Sequence, residues 1–545
     1  MGSKLPRDER IISFSAILVT VIILPNWTYD PVSSPKQFVL ATAAAVSFGV
    51  FIHRGFLVRK LLKETFPSLI LVFVFLLFLN LSLHNEVLPE RLFGIRGRST
   101  GLITYLSFAI IALIVSQRRF TGKFFSALLL TNLLVSGYFV LQVFGADIFV
   151  VEEFYASPSS TLGNPNFVSG FAGFSVFSVF YYLNLKTPRV FIPVLAIVGL
   201  NLFVLVKSDS IQGAIALTAG FSTLVFLRVL TLKKRGLTTV TLIAAILPLT
   251  IMFLGLLGKG PLANFLGSST TFSRLDYWRA AIRMLLDNPI FGVGLDGYRD
   301  SYRLYRDESA IKRFGESQTA DSAHNLFLDL FSAGGFPLGI TFLVISIFPA
   351  YLVLQRVLRE SQRDGLGILL LSAWVSFQVQ ALSSVSNLGI GIWGWFLLGT
   401  MVSYAKESGK LRSSGEEKKK SGHPARTYIA ASVIALGFFF ATPQLMAEVR
   451  FLRLANQGDG LALTQLVTSW PQDSGRINLV AQGWRNSGDL QRAKELVLAG
   501  IERNANYYPH WELLLSLDNA SSAEKINALA QLRRLDTLVE LNNPE

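Results

Sequence analysis

The chain has 545 residues, of which 51% are hydrophobic and 16% charged, with a formal net charge of +14 and no cysteine. Soluble domains carry about 25% charged residues, so this composition excludes an ordinary water-soluble globular protein. The missing cysteines exclude disulfides, zinc–thiolate centres and thiol nucleophiles. Lys and Arg fall in short clusters between apolar runs, with no aromatic-plus-basic platform, which points to a bilayer and not to a nucleic-acid partner.

Runs apolar enough to cross a hydrocarbon core, about 20 residues each, recur from the N-terminus to about Met446. They give about 13 candidate spans, at 11–27, 37–53, 67–83, 101–116, 124–144, 167–185, 190–206, 211–230, 237–257, 337–354, 366–384, 388–405 and 428–446. Lys4, Arg7 and Arg10 before Ile11–Leu24 imitate a signal peptide. Pro25, Asn26 and Trp27 follow in place of a small-residue cleavage site, so a retained first span is expected. With the N-terminus in the cytoplasm, the inside loops hold Arg54/Arg59/Lys60/Lys63, Arg118/Arg119/Lys123, Lys186/Arg189, Arg228/Lys233/Lys234/Arg235, Arg356/Arg359/Arg363 and the basic run Lys406–Arg426. Short outside loops are poorer in cations, as in Ala146–Phe154 with Asp147, Glu152 and Glu153. The positive-inside rule therefore places the C-terminus outside. The expected fold class is an all-α polytopic membrane protein. Residues 1–446 form the membrane domain, with a large extracytoplasmic loop at about 258–336 and an extracytoplasmic helical tail at 447–545.

In the tail, Gly488–Leu496 opens a helix that Asn504–Pro509 closes, after a helix over roughly Arg476–Asn486. The pattern resembles a tetratricopeptide repeat, and Trp470-Pro471 and Tyr508-Pro509 lie near its period. An ordinary helical hairpin domain reads equally from the residues. Either form suits docking of a protein partner or acceptor, not chemistry.

Chemistry is sought where polar residues gather at the outer rim. The five histidines show no metal-ligand spacing and no H-E-x-x-H, and no Asp-x-Asp occurs, so neither a metal site nor nucleotide-sugar chemistry is indicated. His324 lies in Asp321-Ser322-Ala323-His324-Asn325, just before an apolar helix. A neutral imidazole there could take a hydroxyl proton near pH 7; the bland alternative is a hydrogen-bonded interfacial histidine. Thr271–Arg279 begins an amphipathic stretch in which Arg279 and Arg283 are helical neighbours, and Arg299, Arg303 and Arg306 also share a face. Guanidinium groups grip phosphate, although lipid headgroups or Asp300, Asp307 and Glu308 are alternative partners. Gly292-Val293-Gly294-Leu295-Asp296-Gly297 matches a dinucleotide fingerprint, but no strand–turn–helix unit surrounds it, so it reads as a tight turn. Three more turns, at Arg96–Leu102, Thr161–Phe167 and Ser208–Gly213, fall on the same predicted side.

At these residues the chain resembles the O-antigen ligase/polymerase superfamily. The matching features are Arg98 with Gly101-Leu102, Gly163-Asn164-Pro165-Asn166, Ser273-Arg274 with Trp278, Asn288–Gly294, and Ala323-His324-Asn325 with Gly335 and Gly339, in the family's order. The tail is similar to tails on some members. The resemblance implies a GT-C-type glycosyltransferase in the bacterial inner membrane, metal-independent, cofactor-free and inverting. It would take a glycan from an undecaprenyl-diphosphate carrier and pass it to a glycolipid, glycan or protein acceptor in lipopolysaccharide or polysaccharide biosynthesis. It makes His324 the general base or its orienter and Arg274 the diphosphate ligand. Arg98, Asn164, Asn166, Gln212, Arg279, Asp321 and Asn325 would line the diphosphate and glycan. Many members carry arginine near the position of Gln212, and Arg98, Arg279 or Lys207 could supply that charge. Three rivals are weighed: a lipid-linked sugar flippase, which should carry midspan charges and two similar halves; a peptidoglycan-type polymerase using Asp321; and a membrane anchor for the tail.

Overall fold

A backbone inside a bilayer must satisfy its own hydrogen bonds, so apolar runs without breakers become helices. The computed structural model describes residues 7–54, 61–118, 120–149, 157–183, 191–256, 259–261, 269–360, 364–406 and 424–538, and contains no strand among them. Arg59, Lys60, Arg119, Glu152, Glu153, Lys186, Arg189, Arg363 and the run Lys410–Lys420, assigned above to loops, lie outside the described residues.

The first helices are α1 (Arg7–Val21), α2 (Ser33–His53), α3 (Thr65–Leu83), the short α4 (Leu88–Phe93), α5 (Leu102–Val115) and α6 (Thr121–Val143). Next come α7 (Pro165–Ser175), α8 (Phe177–Leu183), α9 (Phe191–Lys207), α10 (Gln212–Thr231) and α11 (Arg235–Leu256). After the loop come α15 (Leu326–Glu360), α16 (Gly365–Ala381), α17 (Leu388–Lys406) and α18 (Pro424–Gln457), the loop itself holding α12 (Ser269–Asp287), α13 (Tyr298–Tyr305) and α14 (Glu308–Phe314). The predicted spans overlap these helices, that at 167–185 being divided between α7 and α8, while α1 ends at Val21 and α18 runs on to Gln457. Among the described residues eight helices, counting α7 with α8 as one, are long and apolar enough to cross a membrane, and α5, α9 and α16 are shorter apolar helices.

The bundle core is aromatic. Phe73, Phe342 and Trp395 meet in the interior, and Trp393 is fully buried between α1, α6 and α17. Phe75, Ile192, Val206 and Phe439 are outward and largely exposed, which suits lipid. Lys36 on α2 is buried with its ammonium 2.7 Å from Thr20 O and 2.8 Å from Ile22 O, carbonyls that the end of α1 leaves unpaired.

α15 departs from its predicted bounds where this shapes the site. The span expected from 337 starts at Leu326, and it is kinked at Gly334 and Gly335. The kink frees three backbone groups, and the Pro289–Leu295 turn uses them. Val293 N donates to Ser332 O (2.9 Å), Gly294 N to Ala333 O (2.9 Å), and Phe336 N to Pro289 O (2.7 Å). Gly335 has φ +67, and a Cβ there would lie 2.5 Å from Pro289 O, so only glycine fits. Asn80 on α3 locks the junction, donating to Phe291 O and Ala333 O and accepting from Leu295 N.

The tail forms antiparallel helices α19 (Gly460–Thr468), α20 (Ser474–Asn486), α21 (Leu490–Arg503), α22 (Tyr508–Leu515) and α23 (Ser522–Leu535) around Ile477, Leu496, Trp511 and Leu532. Asp459, Asp473, Asp489 and Ser521 cap four of them through their side chains. The tail rests directly on the loop. Asp536 accepts from Arg306 (2.5 Å) and Arg303 (3.1 Å), Asn504 donates to Asp300 (3.0 Å), and Ser474 N donates to Glu90 on α4 (2.6 Å).

Candidate active site at one rim of the bundle

The Arg98 turn is built by its neighbours. Gln37 on α2 donates to Phe93 O, Ser99 O and Thr104 Oγ1, and Ser33 Oγ donates to Gly97 O. Gly94 takes φ +89 where a Cβ would meet Thr100 N at 2.3 Å. From the loop, the buried Asp296 carboxylate accepts from Ile95 N (3.0 Å) and Thr100 Oγ1 (2.7 Å). The Gly292–Gly297 segment is thus a tight turn whose aspartate fastens the arginine turn to the loop.

So held, Arg98 reaches Asp321 with two parallel bonds of 2.7 and 2.9 Å. The guanidinium keeps the Asp321 carboxyl below its ordinary range despite burial. Three residues on, His324 has φ +52, a left-handed conformation that costs a non-glycine residue about 1–3 kcal/mol and clusters at functional sites. Two neighbouring side chains hold it there with three bonds. Asp329 accepts from Ala323 N (2.6 Å), and Asn325 caps α15 by accepting from Phe327 N and Leu328 N. The imidazole stacks on Tyr277 of α12 with ring centroids 5.4 Å apart, and Tyr277 packs edge-on against Tyr302 of α13. Burial first, then the positive fields of Arg98 and Arg274 working against Asp321, push His324 down to about 4, so the ring is neutral at pH 7.

Arg274 lies one helical turn before Tyr277 and is partly buried, which lowers its guanidinium from the ordinary value. An arginine remains charged regardless. Among the described residues it forms no ion pair, whereas Arg98 is tied to Asp321 and Arg279 to Asp276 and Asp307. Arg279 is half exposed and turned toward those carboxylates, and Arg283 joins it on Asp307.

The remaining expected residues divide. Asn164 caps α7 by accepting from Asn166 N and, with Arg98 and Asp321, lines a cavity of about 340 Å³. Asn166 accepts from Ser210 Oγ (2.7 Å), tying two of the predicted turns together behind that cavity. Gln212 is buried at the start of α10, donating to Gln380 O (3.3 Å) with its own oxygen unpartnered. Asn325 serves the helix end. The structure therefore brings His324, Arg274, Arg98, Asp321 and Asn164 to one rim, places Asn166 and Gln212 behind it, and turns Arg279 away to a carboxylate pair. Sequence reading passed over Asp296, Asp329 and Tyr277. Asp329 left one signal, an acid in the first turn of a helix that follows the histidine. No group of carboxylates and imidazoles that could hold a metal occurs among the described residues.

Fold and site together define a polytopic, all-helical membrane protein with an ionisable site at one end of its bundle. In comparison with protein families, residues 166–343 match the model described as O-Antigen ligase. The matched stretch runs from α7 into α15 and includes Gln212, Arg274, Asp321, His324 and Asn325, so this part of the chain is similar to an O-antigen ligase domain. A search of curated proteins found no match.

Proposed function

We propose that the protein moves a glycan from undecaprenyl diphosphate to an acceptor hydroxyl on the extracytoplasmic face of the bacterial inner membrane, in the manner of an O-antigen ligase. The observation that carries this is the partly buried Arg274, which has no ion pair among the described residues and whose charge acts on the same imidazole as the Arg98–Asp321 pair. A guanidinium without a carboxylate in a partly dry site favours an anion, and a diphosphate supplies one.

In the proposed reaction the acceptor hydroxyl gives its proton to His324 as its oxygen attacks the anomeric carbon. The bond from that carbon to the diphosphate oxygen breaks on the opposite face, which inverts the configuration, and the electron pair leaves with the diphosphate. Arg274 offsets the charge that grows there. The arriving diphosphate also cancels the arginine fields that depress His324, so the base strengthens once the donor is seated. Asp321 suits a peptidoglycan-type mechanism poorly, because both its oxygens are engaged by Arg98 and its basicity is low. The acceptor, whether glycolipid, growing polysaccharide or protein, is set by surfaces other than these residues.

The test is transfer from an undecaprenyl-diphosphate glycan by purified His324→Ala that retains the wild-type melting curve. A drop of about 10²–10⁴-fold is expected for loss of a general base. Near-full turnover in a folded variant overturns the assignment.

A further inference from the structure

The cavity of about 340 Å³ lies beside the Arg98–Asp321 pair, and Arg274 is not among its lining residues. Its size falls within the roughly 300–1,000 Å³ of small-molecule sites. Its wall is unlike a phosphate site. Ser33, Ser159, Ser160, Asn164 and Asn387 present hydroxyls and amides, and Asp30 a carboxylate. Among the described residues the one lining cation is Arg98, which already holds Asp321 bidentately. Lys36 lies behind the wall with its ammonium engaged by Thr20 O and Ile22 O. Asn387 donates to Leu162 O (3.3 Å), but its buried Oδ1 has no partner. Leaving a buried oxygen unsatisfied costs about 1–3 kcal/mol, so the Asn387 amide sits beside the cavity with hydrogen-bonding capacity unused. Phe167 adds an apolar patch among these polar groups. Ser160 is held at φ +46 with its Oγ donating to Val135 O and its N–H donating to Gln142, so the floor is rigid.

Hydroxyl, amide and carboxylate acceptors around one aromatic ring are what a pyranose needs: its hydroxyls donate, and its C–H face packs on the ring. We infer that this cavity is a subsite for a neutral sugar ring of the glycan substrates and disfavours sugars bearing carboxylate or phosphate, which would meet Asp30 without a cation to receive them. This rests on the glycan-transfer reading and adds a substrate class to it. The ring belongs either to the acceptor or to the donor glycan.

The test uses full-length protein in nanodiscs with two variants, Ser159→Phe to fill the cavity and Asn387→Leu to remove the amide. Probes are the methyl glycosides of glucose, galactose, N-acetylglucosamine and glucuronic acid, read by saturation-transfer NMR and as inhibitors of transfer. Neutral glycosides should bind wild type and lose about tenfold or more in affinity in both variants, while the glucuronide binds neither. In turnover, the KM of one substrate should rise by about tenfold, exceeding any change in kcat. Competition with the acceptor marks an acceptor subsite; competition with the lipid-linked donor marks a donor subsite. Equal binding of neutral and acidic glycosides, or unchanged affinities and KM values in both variants, overturns the subsite. Variant-sensitive glycoside binding by a wild-type protein that transfers nothing would keep the subsite and remove the proposed reaction.

Discussion

Asp536 offers a sharp test of how the tail supports the site. Its carboxylate and the Arg306 side chain are both fully buried, 2.5 Å apart, and Arg303, 12% exposed, adds a second bond of 3.1 Å. In Asp536→Ala, Arg306 keeps its bonds to Glu316 O and Gln318 O but loses its counter-charge. Removing one partner of a buried pair costs about 3–5 kcal/mol. At about 1.4 kcal/mol per factor of ten, that corresponds to opening of the tail–loop contact favoured by roughly 10²–10³-fold or more. Hydrogen exchange of the reconstituted protein, read on peptides covering 298–306 and 508–538, should accelerate by such a factor, while the membrane helices exchange as before. The double variant Arg306→Met/Asp536→Leu removes both charges and should recover much of the loss. Exchange within about threefold of wild type in Asp536→Ala, or a double variant worse than the sum of its singles, refutes the clamp.

Three other outcomes are expected. Neutral His324 is the active form, so turnover is present above its pKa and lost as pH falls through it. For kcat/KM, reporting the free protein, the acid limb should fall near 4; for kcat, with donor bound, it should lie higher, and a kcat limb at the same or lower pH contradicts the field argument. Asn80→Ala removes three bonds at the loop–kink junction, about 1 kcal/mol each with a stranded Leu295 N–H besides, and should lower the melting temperature and expose the 288–297 turn to protease; an unchanged melt sinks that role. His510, fully buried against Ser474 O, is held down to about 4 mainly by burial, so its contribution is complete above about 6.5 and lost as pH falls toward 4, about 3 kcal/mol in all. Tail amides should therefore exchange faster at pH 4.5 than at 7.5, and His510→Gln should flatten that difference; a flat wild-type profile counts against it.

The helices of the bundle were legible because lipid enforces a simple rule: an apolar run must close its own hydrogen bonds. The polar rim was legible only in outline. His324 and Arg274 stood out as ionisable residues beside spans, but their company depends on contacts between distant segments, such as Arg98 with Asp321 or Asp296 with Thr100. The apolar residues after His324 read as a helix, but Gly334-Gly335 split them from the span at 337, and their continuity as one kinked α15 shows only when Pro289 and Val293 are seen using the broken rungs. Arg279 reads as a phosphate ligand or as a partner of Asp307 from the sequence, and the structure sets it beside Asp276 and Asp307. The tail's hairpins were readable from their capping and turn residues, but not its seat on α13, which joins residues 230 apart.

That separation carries a consequence for biogenesis. A ribosome that has delivered α13 must add those 230 residues before Asp536 can reach Arg306. Until then, Tyr302, the Tyr277 ring and the imidazole stacked on it rest on a platform secured from one side only. A nascent or prematurely terminated chain lacking Asp536 would leave Arg306 without its carboxylate and that platform without its tail contact.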